Sequence, residues 1–155
     1  MYKAVFVGLF SVALSFPLAA NAQDSVIRFE GGIGSQPLRA DALVNDVNGV
    51  PPGGRPWVIS RLIAEVIGRR IIVEGRGLLI AGGGNVGTGA GQSVRARLFC
   101  GGVPRDSAAL VPLAANGDFR IDSLLSPAPP RPCANPVLLI INSDGSWFAA
   151  GIRRN

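Results

Sequence analysis

Carboxylates are the side chains of this sequence that could carry acid–base chemistry. Hydrolysis of a glycosidic bond needs two of them about 5–10 Å apart, one with a raised pKa. Several stand beside predicted turns or near arginines, as ordinary solvated charges do. A carboxylate-dependent, glycosidase-like hydrolase is therefore the alternative hypothesis rather than the main one. The candidate carboxylates are Glu30, Asp41, Asp46, Glu65, Glu74, Asp106, Asp118, Asp122 and Asp144.

The beginning of the chain has the features of a secretory signal peptide. Met1-Tyr2-Lys3 gives a short positive start, residues 4–18 are apolar, and Ala20-Asn21-Ala22 is a small-x-small cleavage site. We expect residues 1–22 to be removed and residues 23–155 to form one secreted domain, extracellular or periplasmic. No later segment of the mature chain is long and apolar enough to predict a membrane span.

Removal of the predicted signal peptide restricts the chemistry of the remaining chain. The sequence contains no His, and its only Lys (Lys3) and only Tyr (Tyr2) lie within this peptide. The mature chain therefore cannot build a Ser-His-Asp triad, a Ser-Lys dyad, a lysine Schiff base or a histidine-ligated metal site. We expect no enzyme activity, no cofactor and no metal.

Two motifs resemble ligand-binding loops without meeting their requirements. Residues 82–87 match G-x-G-x-x-G, but the Thr and Gly residues that follow cannot open the helix that would hold a pyrophosphate. We expect a flexible glycine-rich loop between strands. Residues 45–49 alternate Asn and Asp before Gly49, yet a calcium loop in that register would need Val44 and Arg55 as ligands, so a turn is expected there.

Arginine is the only basic residue of the mature chain, with fourteen arginines against ten acidic residues. Arg95 and Arg97 have the same parity on one predicted strand, which would place both guanidinium groups on an exposed face. Such a face could bind an anionic envelope polymer. The alternative is that these arginines lie on solvent-exposed strand faces and only keep the protein soluble. Nucleic acid is not an expected partner, because the aromatic content is too low for stacked bases.

Aromatic residues supply the other candidate contacts. We expect Trp57 to lie in the core, where large aromatic side chains are usually buried. Trp147 and Phe148 are neighbours, and neighbours on one strand point to opposite faces. One of the two is therefore expected to face outward as a contact surface, possible partners including another protein.

Cys100 and Cys133 are the only cysteines, and an exported protein favours their pairing as a disulfide. A redox-active pair would be expected in a closely spaced Cys-x-x-Cys motif instead. The proline-rich residues 126–136 are expected to form an extended connector that brings Cys133 to its partner.

Short alternating segments separated by turn residues predict strands throughout the mature chain. We expect hairpins across Gly68-Arg69, Asn116-Gly117 and Asp144-Gly145. Residues 60–67 also fit a helical stripe, but the preceding Trp57-Val58-Ile59 and the Gly68 that follows favour a strand. Side chains at 71, 73 and 79 are expected to point inward, as are those at 94, 96, 98 and 100.

The strand count and spacing predict the fold class. About eight or nine short strands without helices indicate a single antiparallel β-sandwich, Ig-like or similar, over residues 23–155.

The sequence resembles small exported bacterial proteins that have no assigned activity. The resemblance covers most of residues 44–152, including the segments 54–59, 76–82 and 133–140. It implies export, the cysteine pair and a β fold, and it transfers no functional residue. The resulting hypothesis is a secreted, non-catalytic structural or binding module of the bacterial cell envelope or extracellular space, with an unknown ligand. A protein-binding or inhibitor domain is a further alternative.

Overall fold

Thirteen strands form the regular structure of residues 25–40 and 43–155, which are the residues that the computed structural model describes. The predicted signal peptide, residues 1–22, lies outside the described residues. The strands are β1 (Ile27–Gly34), β2 (Arg39–Ala40), β3 (Leu43–Val44), β4 (Trp57–Val58), β5 (Arg61–Ile67), β6 (Arg70–Arg76), β7 (Leu79–Ile80), β8 (Ser93–Cys100), β9 (Val103–Ser107), β10 (Val111–Pro112), β11 (Phe119–Ser126), β12 (Val137–Asn142) and β13 (Trp147–Arg154).

Eight of these strands form one closed antiparallel barrel, so the expected two-sheet sandwich is wrong. Their order around the barrel is β1, β5, β6, β11, β9, β8, β12 and β13. The barrel closes because β13 pairs with β1 and β9 pairs with both β8 and β11. The all-β antiparallel class is confirmed. Inside–outside alternation is common to sandwiches and barrels, so it could not distinguish them.

Two of the three predicted hairpins are confirmed. Gly68-Arg69 connects β5 and β6, which pair along their whole length from Arg61–Arg76 to Ile67–Arg70. The ambiguous residues 60–67 are therefore a strand and not a helix. Asp144-Gly145 lies in the turn between β12 and β13, and Gly145 has the positive φ of +84° that tight turns favour.

The third hairpin is wrong in its pairing. The turn at Asn116-Gly117 exists, since the amide of Gly117 donates to the carbonyl of Ala114 at 2.8 Å. However, β10 pairs with β8, and β11 pairs with β6 and β9. The backbone bond across the turn, from the amide of Ala114 to the carbonyl of Asp118 at 3.0 Å, does not continue into a ladder between β10 and β11.

Side-chain alternation follows the prediction along β6 and changes after it. Ile71 and Val73 are buried, but Leu79 is only half-buried, and Leu78 and Ile80 are buried instead. Gly77, with φ +63°, interrupts the strand between Arg76 and Leu78. The break shifts the parity by one residue, which sequence alternation alone could not predict.

The barrel interior is filled by apolar side chains. The predicted inward residues Val94, Ala96, Leu98 and Cys100 of β8 are buried there, and so is Trp57. An eight-stranded barrel is just wide enough for its side chains to fill it. Access to a ligand is therefore best at the ends of the barrel.

A second apolar cluster lies on the outside of the barrel, on β8, β12 and β13. We call it the outer cluster, and it consists of Val50, Phe99, Leu139, Ile141 and Trp147. The covering segment, residues 45–53, packs over it through Val47 and Val50. Its amides and carbonyls are bonded to the barrel edge: the Trp147 amide donates to Pro51, and the Gly53 amide donates to Trp147.

Cys100 and Cys133 form the predicted disulfide. Cys100 ends β8 inside the core, and Cys133 lies near the end of the proline-rich connector. Arg105, which is only 9% exposed, also holds this connector, because its Nε donates to the carbonyl of Ala128 at 3.2 Å. The connector is thus fixed at two points.

Candidate functional site

A cleft of about 380 Å³ opens at the end of the barrel where β12 ends and β8 and β13 begin. We call it the mouth cleft. Three segments that are distant in sequence line it: residues 53–57, residues 80–92 and residues 142–148. Small-molecule sites typically have volumes of ~300–1,000 Å³. The mouth cleft is therefore large enough for a small ligand or for the end of a polymer.

Two stacked aromatic rings form the floor of the mouth cleft. The rings of Trp57 and Phe148 lie with their centroids 4.0 Å apart and their planes inclined by 15°. Both residues are tied to Ser35, whose amide donates to the carbonyl of Phe148 at 2.9 Å and whose carbonyl accepts from the amide of Trp57 at 2.8 Å. The floor is thus fixed to the barrel by backbone hydrogen bonds.

Gly53 allows the chain to pass close to these rings. A Cβ atom at this position would lie 2.9 Å from the Phe148 ring and 2.9 Å from Trp57 Nε1. Any side chain here would therefore displace one of the two rings. The sequence Pro51-Pro52-Gly53-Gly54 places the smallest residue at the point of closest approach.

The indole N–H of Trp57 is a free donor in this floor. Among the described residues, Ser35 Oγ is the one fully buried side-chain polar atom without a hydrogen-bond partner. The indole nitrogen of Trp57 has no hydrogen-bond partner in the same part of the chain and is not fully buried, and Trp57 is one of the residues that line the mouth cleft.

The turn between β12 and β13 forms one wall. The Asn142 side chain, 7% exposed, fixes the turn: its Oδ1 accepts from the amide of Asp144 at 3.1 Å and from the amide of Ser146 at 2.9 Å. These bonds position the Asp144 and Ser146 side chains at the rim of the cleft.

The glycine-rich loop between β7 and β8 forms the opposite wall. It connects two strands as expected, but it is not a loose connector. Ile80 and Thr88 are joined by a backbone hydrogen bond of 2.9 Å, the amide of Gly87 donates to Ile80 at 2.8 Å, and the amide of Ala81 donates to Pro56 at 2.7 Å. Thr88 Oγ1 adds a bond of 2.9 Å to the carbonyl of Asn85. The backbone of the loop is therefore held against the neighbouring strands and against Pro56.

Several polar side chains that line this cleft have no partner among the described residues. Six of the eight described carboxylates form ion pairs with arginine, for example Glu30 with Arg154 and Glu65 with Arg28. Asp144, at the cleft, and Asp46, on the covering segment, do not. No hydrogen bond to a described residue is made by five side chains of the cleft: Arg55, Asn85, Gln92, Asp144 and Ser146.

Arg55 brings a positive charge to the same site. Its Nη1 lies 3.4 Å from the position of a Cβ atom on Gly83, so the guanidinium reaches the glycine-rich loop. The cleft thus combines one cation, one carboxylate, two amides, a hydroxyl and an indole N–H above an apolar floor. Groups of this kind bind and orient a ligand.

The paired carboxylates lie on the outside of the barrel, and one of them, Asp122, has a lowered pKa. Asp122 accepts two hydrogen bonds from Arg70, at 2.8 and 2.7 Å, and these lower the pKa of its carboxyl group. Arg120 contacts both Asp122 and Glu74. A general acid needs a raised pKa, so the lowered pKa of Asp122 is the opposite of what a glycosidase acid requires.

The structure separates the four residues predicted to bind a partner. Phe148 points into the barrel and forms part of the mouth cleft, whereas Trp147, Arg95 and Arg97 share the outer face. Arg97 is held by Asp106 through two hydrogen bonds of 2.7 Å. Arg95 is half-buried and lies opposite Ile141 of β12. These residues therefore do not form one site.

The expectation that Trp147 or Phe148 is exposed is wrong, although the two do point to opposite faces. Each is 3% exposed. Trp147 is covered by residues 45–53, and its Nε1 donates to the carbonyl of Asn45 at 3.0 Å. The outward ring thus binds a segment of its own chain, which the alternation of a single strand could not indicate.

Sequence reasoning missed most of the mouth cleft. Its polar side chains lie in three turn-rich segments, and nothing in any one segment indicates that the others are close. The signal that could have found it is the polar residue beside each glycine turn: Arg55 after Gly54, Asn85 after Gly84 and Asp144 before Gly145.

The described residues contain no cluster of three or more His, Cys, Asp or Glu side chains that could hold a metal ion. In the same part of the chain, no helix is long and apolar enough to cross a membrane.

Comparisons of the chain with protein-family models, with curated proteins and with solved structures give no match. The geometry of the mouth cleft and the sequence itself are therefore the indications of function.

Proposed function

We propose that this chain is an exported, non-catalytic binding module of the bacterial cell envelope or extracellular space, with the mouth cleft as its ligand site. The observation that carries the proposal is the set of five unpaired polar side chains that line a cleft with the Trp57–Phe148 floor, while six of the eight described carboxylates are ion-paired. Unsatisfied groups in a concave, partly apolar site are the usual features of a binding site.

The absence of His, Lys and Tyr after export supports a non-catalytic role, because no familiar base is left beside a nucleophile. Hydrolysis catalysed by a pair of carboxyl side chains is the remaining chemistry. Asp144 is the one carboxylate of the mouth cleft, and a glycosidase needs a pair. A binding role therefore fits the cleft better than hydrolysis does.

Binding is tested by NMR on uniformly ¹⁵N-labelled protein purified after export. The mature chain has two indole N–H groups: that of Trp57, a residue that lines the cleft, has no hydrogen-bond partner among the described residues, and that of Trp147 is bonded to Asn45. Soluble fragments of peptidoglycan, envelope polysaccharide and lipid headgroups are added in turn. We expect at least one to shift the Trp57 signal while the Trp147 signal stays in place. If no fragment shifts the Trp57 signal, the cleft is not the ligand site.

Export and the absence of catalysis are tested separately. We expect the mass of the exported protein to correspond to a chain that begins at Gln23, and an uncleaved chain would contradict export with cleavage. We expect each ligand to be recovered unchanged after prolonged incubation. Product release that is lost in a carboxylate variant such as Asp144→Asn would overturn the non-catalytic assignment.

A further inference from the structure

The charges of the mouth cleft indicate the class of its ligand. Arg55 and Asp144 contribute one positive and one negative group, and the other polar groups, Asn85, Gln92 and Ser146, are neutral. A phosphate or a polyanion that approached Arg55 would also meet the Asp144 carboxylate, which repels it. The cleft is therefore unsuited to the anionic polymer that the arginine surplus of the sequence predicts.

The hydrogen-bonding groups favour a ligand that both donates and accepts. Amide side chains offer a donor and an acceptor side by side, the carboxylate only accepts, and the guanidinium and the indole N–H only donate. A hydroxyl group can satisfy each of them, because it donates one hydrogen bond and accepts two. A ligand with several neighbouring hydroxyl groups would pair with all of these side chains without carrying a charge.

The apolar part of the cleft suits the carbon skeleton of such a ligand. Ile80 and the edges of the Trp57 and Phe148 rings line the floor. The C–H groups of a sugar ring are apolar and can pack there, while its hydroxyl groups face the polar walls. With about 380 Å³, the cleft is at the small end of the range for ligand sites, so it fits a chain end rather than a long run of units.

We propose that the mouth cleft binds the uncharged end of a carbohydrate chain. Asp144 accepts hydrogen bonds from its hydroxyl groups, Gln92 and Asn85 both donate and accept, and the Trp57 indole N–H is a further donor. This inference rests on the proposed function, because it names the ligand class of the same site. It differs from that proposal in excluding anionic ligands.

The test is an NMR titration of the exported protein that follows the Trp57 indole signal. The neutral probes are cellobiose, maltose and N,N′-diacetylchitobiose, and the anionic probes are inorganic phosphate and glucuronic acid. We expect a neutral sugar to shift the Trp57 signal with saturation, and its affinity to change less than twofold between 50 and 500 mM NaCl. The anionic probes should leave the signal unchanged.

Variants localise the binding. We expect Asp144→Asn and Gln92→Ala to weaken sugar binding at least tenfold, since each removes a hydrogen-bonding group from the wall. Two matched controls lie outside the lining of the cleft. Asp46→Asn removes the other described carboxylate without an ion pair, and Arg153→Gln removes an exposed arginine at the opposite end of the barrel. Both should bind the sugar as the unmodified protein does.

The outcomes separate the two proposals. If phosphate or glucuronic acid shifts the Trp57 signal and no neutral sugar does, the cleft binds anions: the carbohydrate inference fails and the binding module stands. Sugar binding that is unaffected by both wall variants would place the sugar elsewhere and would also overturn the inference. If neither these probes nor the envelope fragments shift the signal, both proposals fail.

Discussion

The indole ring of Trp57 stacks on the phenyl ring of Phe148, with the ring centroids 4.0 Å apart. Trp57 belongs to β4 and Phe148 to β13, and the two residues are 91 positions apart in the sequence. The stack therefore joins the short β4–β7 sheet to the barrel. It belongs both to the core and to the floor of the mouth cleft, so a change in its packing should affect stability and binding together.

Substitution of Gly53 tests how closely the stack is packed. In Gly53→Ala, the added methyl group would lie 2.9 Å from the Phe148 ring and 2.9 Å from the Trp57 nitrogen. Overpacking of this kind costs about 1–3 kcal/mol. We expect a lower urea midpoint and a shifted Trp57 indole signal.

Gly54→Ala is the matched control for this substitution, because a Cβ atom on Gly54 meets nothing within 4 Å. We expect its free energy of unfolding to stay within about 0.5 kcal/mol of that of the unmodified protein. Equal changes in the free energy of unfolding for the two substitutions would show that a side chain at position 53 does not press on the rings.

The bond between Trp147 and Asn45 leads to a prediction about the covering segment. Trp147→Phe keeps an aromatic ring in the outer cluster but removes the Nε1 donor that bonds to Asn45. Loss of one such hydrogen bond costs about 0.5–1.5 kcal/mol. We expect faster amide hydrogen exchange at Val47 and Val50, which are bonded to each other within the segment.

Leu124→Ala provides the control for this variant, since Leu124 is 51% exposed and distant in sequence from the segment. Its exchange at Val47 and Val50 should remain unchanged. Unchanged exchange in Trp147→Phe as well would contradict the role of Trp147 in holding residues 45–53.

Local pattern was sufficient for most of the strands, and the presence of only two cysteines in the sequence was sufficient for the disulfide. Alternation at Val94, Ala96 and Leu98 predicted the inner face of β8, and Gly68 predicted the β5–β6 turn, because these features depend on residues near each other in the chain. The closed barrel was not predictable in this way. It depends on β13 meeting β1 and on β9 meeting both β8 and β11, and no local pattern specifies such contacts.

The same distinction applies to the site residues. Alternation placed Trp147 and Phe148 on opposite faces correctly, but exposure is a tertiary property. A segment about 100 residues earlier in the chain, which contains Val47 and Val50, covers the outer cluster that includes Trp147. The sequence offered Asp144 only as one of nine candidate carboxylates, and it became a candidate binding residue when its turn was seen beside the glycine-rich loop. Sequence patterns thus predict which face a side chain occupies, and the fold determines what lies against that face.

Asp122 should titrate below the usual range for aspartate, and the cause is Arg70. The two hydrogen bonds from Arg70 lower the pKa of the carboxyl group, with further attraction from Arg70 and Arg120. Because the folded-state pKa is lowered, the contribution of this pair to stability is complete above the unfolded-state pKa, about 4. It is lost as the pH falls through the lowered folded-state value.

Carboxyl ¹³C titration of the folded protein measures this directly. In Arg70→Gln, the pKa of Asp122 should rise toward its ordinary value, since only the more distant Arg120, 3.9 Å away, remains. In Arg153→Gln it should stay lowered. If the Asp122 titration is the same in Arg70→Gln as in the unmodified protein, the pair does not exist in solution.

The disulfide should be the largest single contribution to stability that a conservative substitution can remove. Cys100 and Cys133 are separated by 33 positions and close a loop that contains the proline-rich connector. Loop closure of this length stabilises the folded state by about 3–4 kcal/mol on the chain-entropy model. We expect the double variant Cys100→Ala with Cys133→Ala to lose about that amount in urea unfolding, while Arg105 still holds Ala128.

Reduction of the unmodified protein should have a similar effect, because it removes the same covalent link without changing the packing of β8. A loss below about 1 kcal/mol in both experiments would mean that Arg105 and the barrel fix the connector without the disulfide.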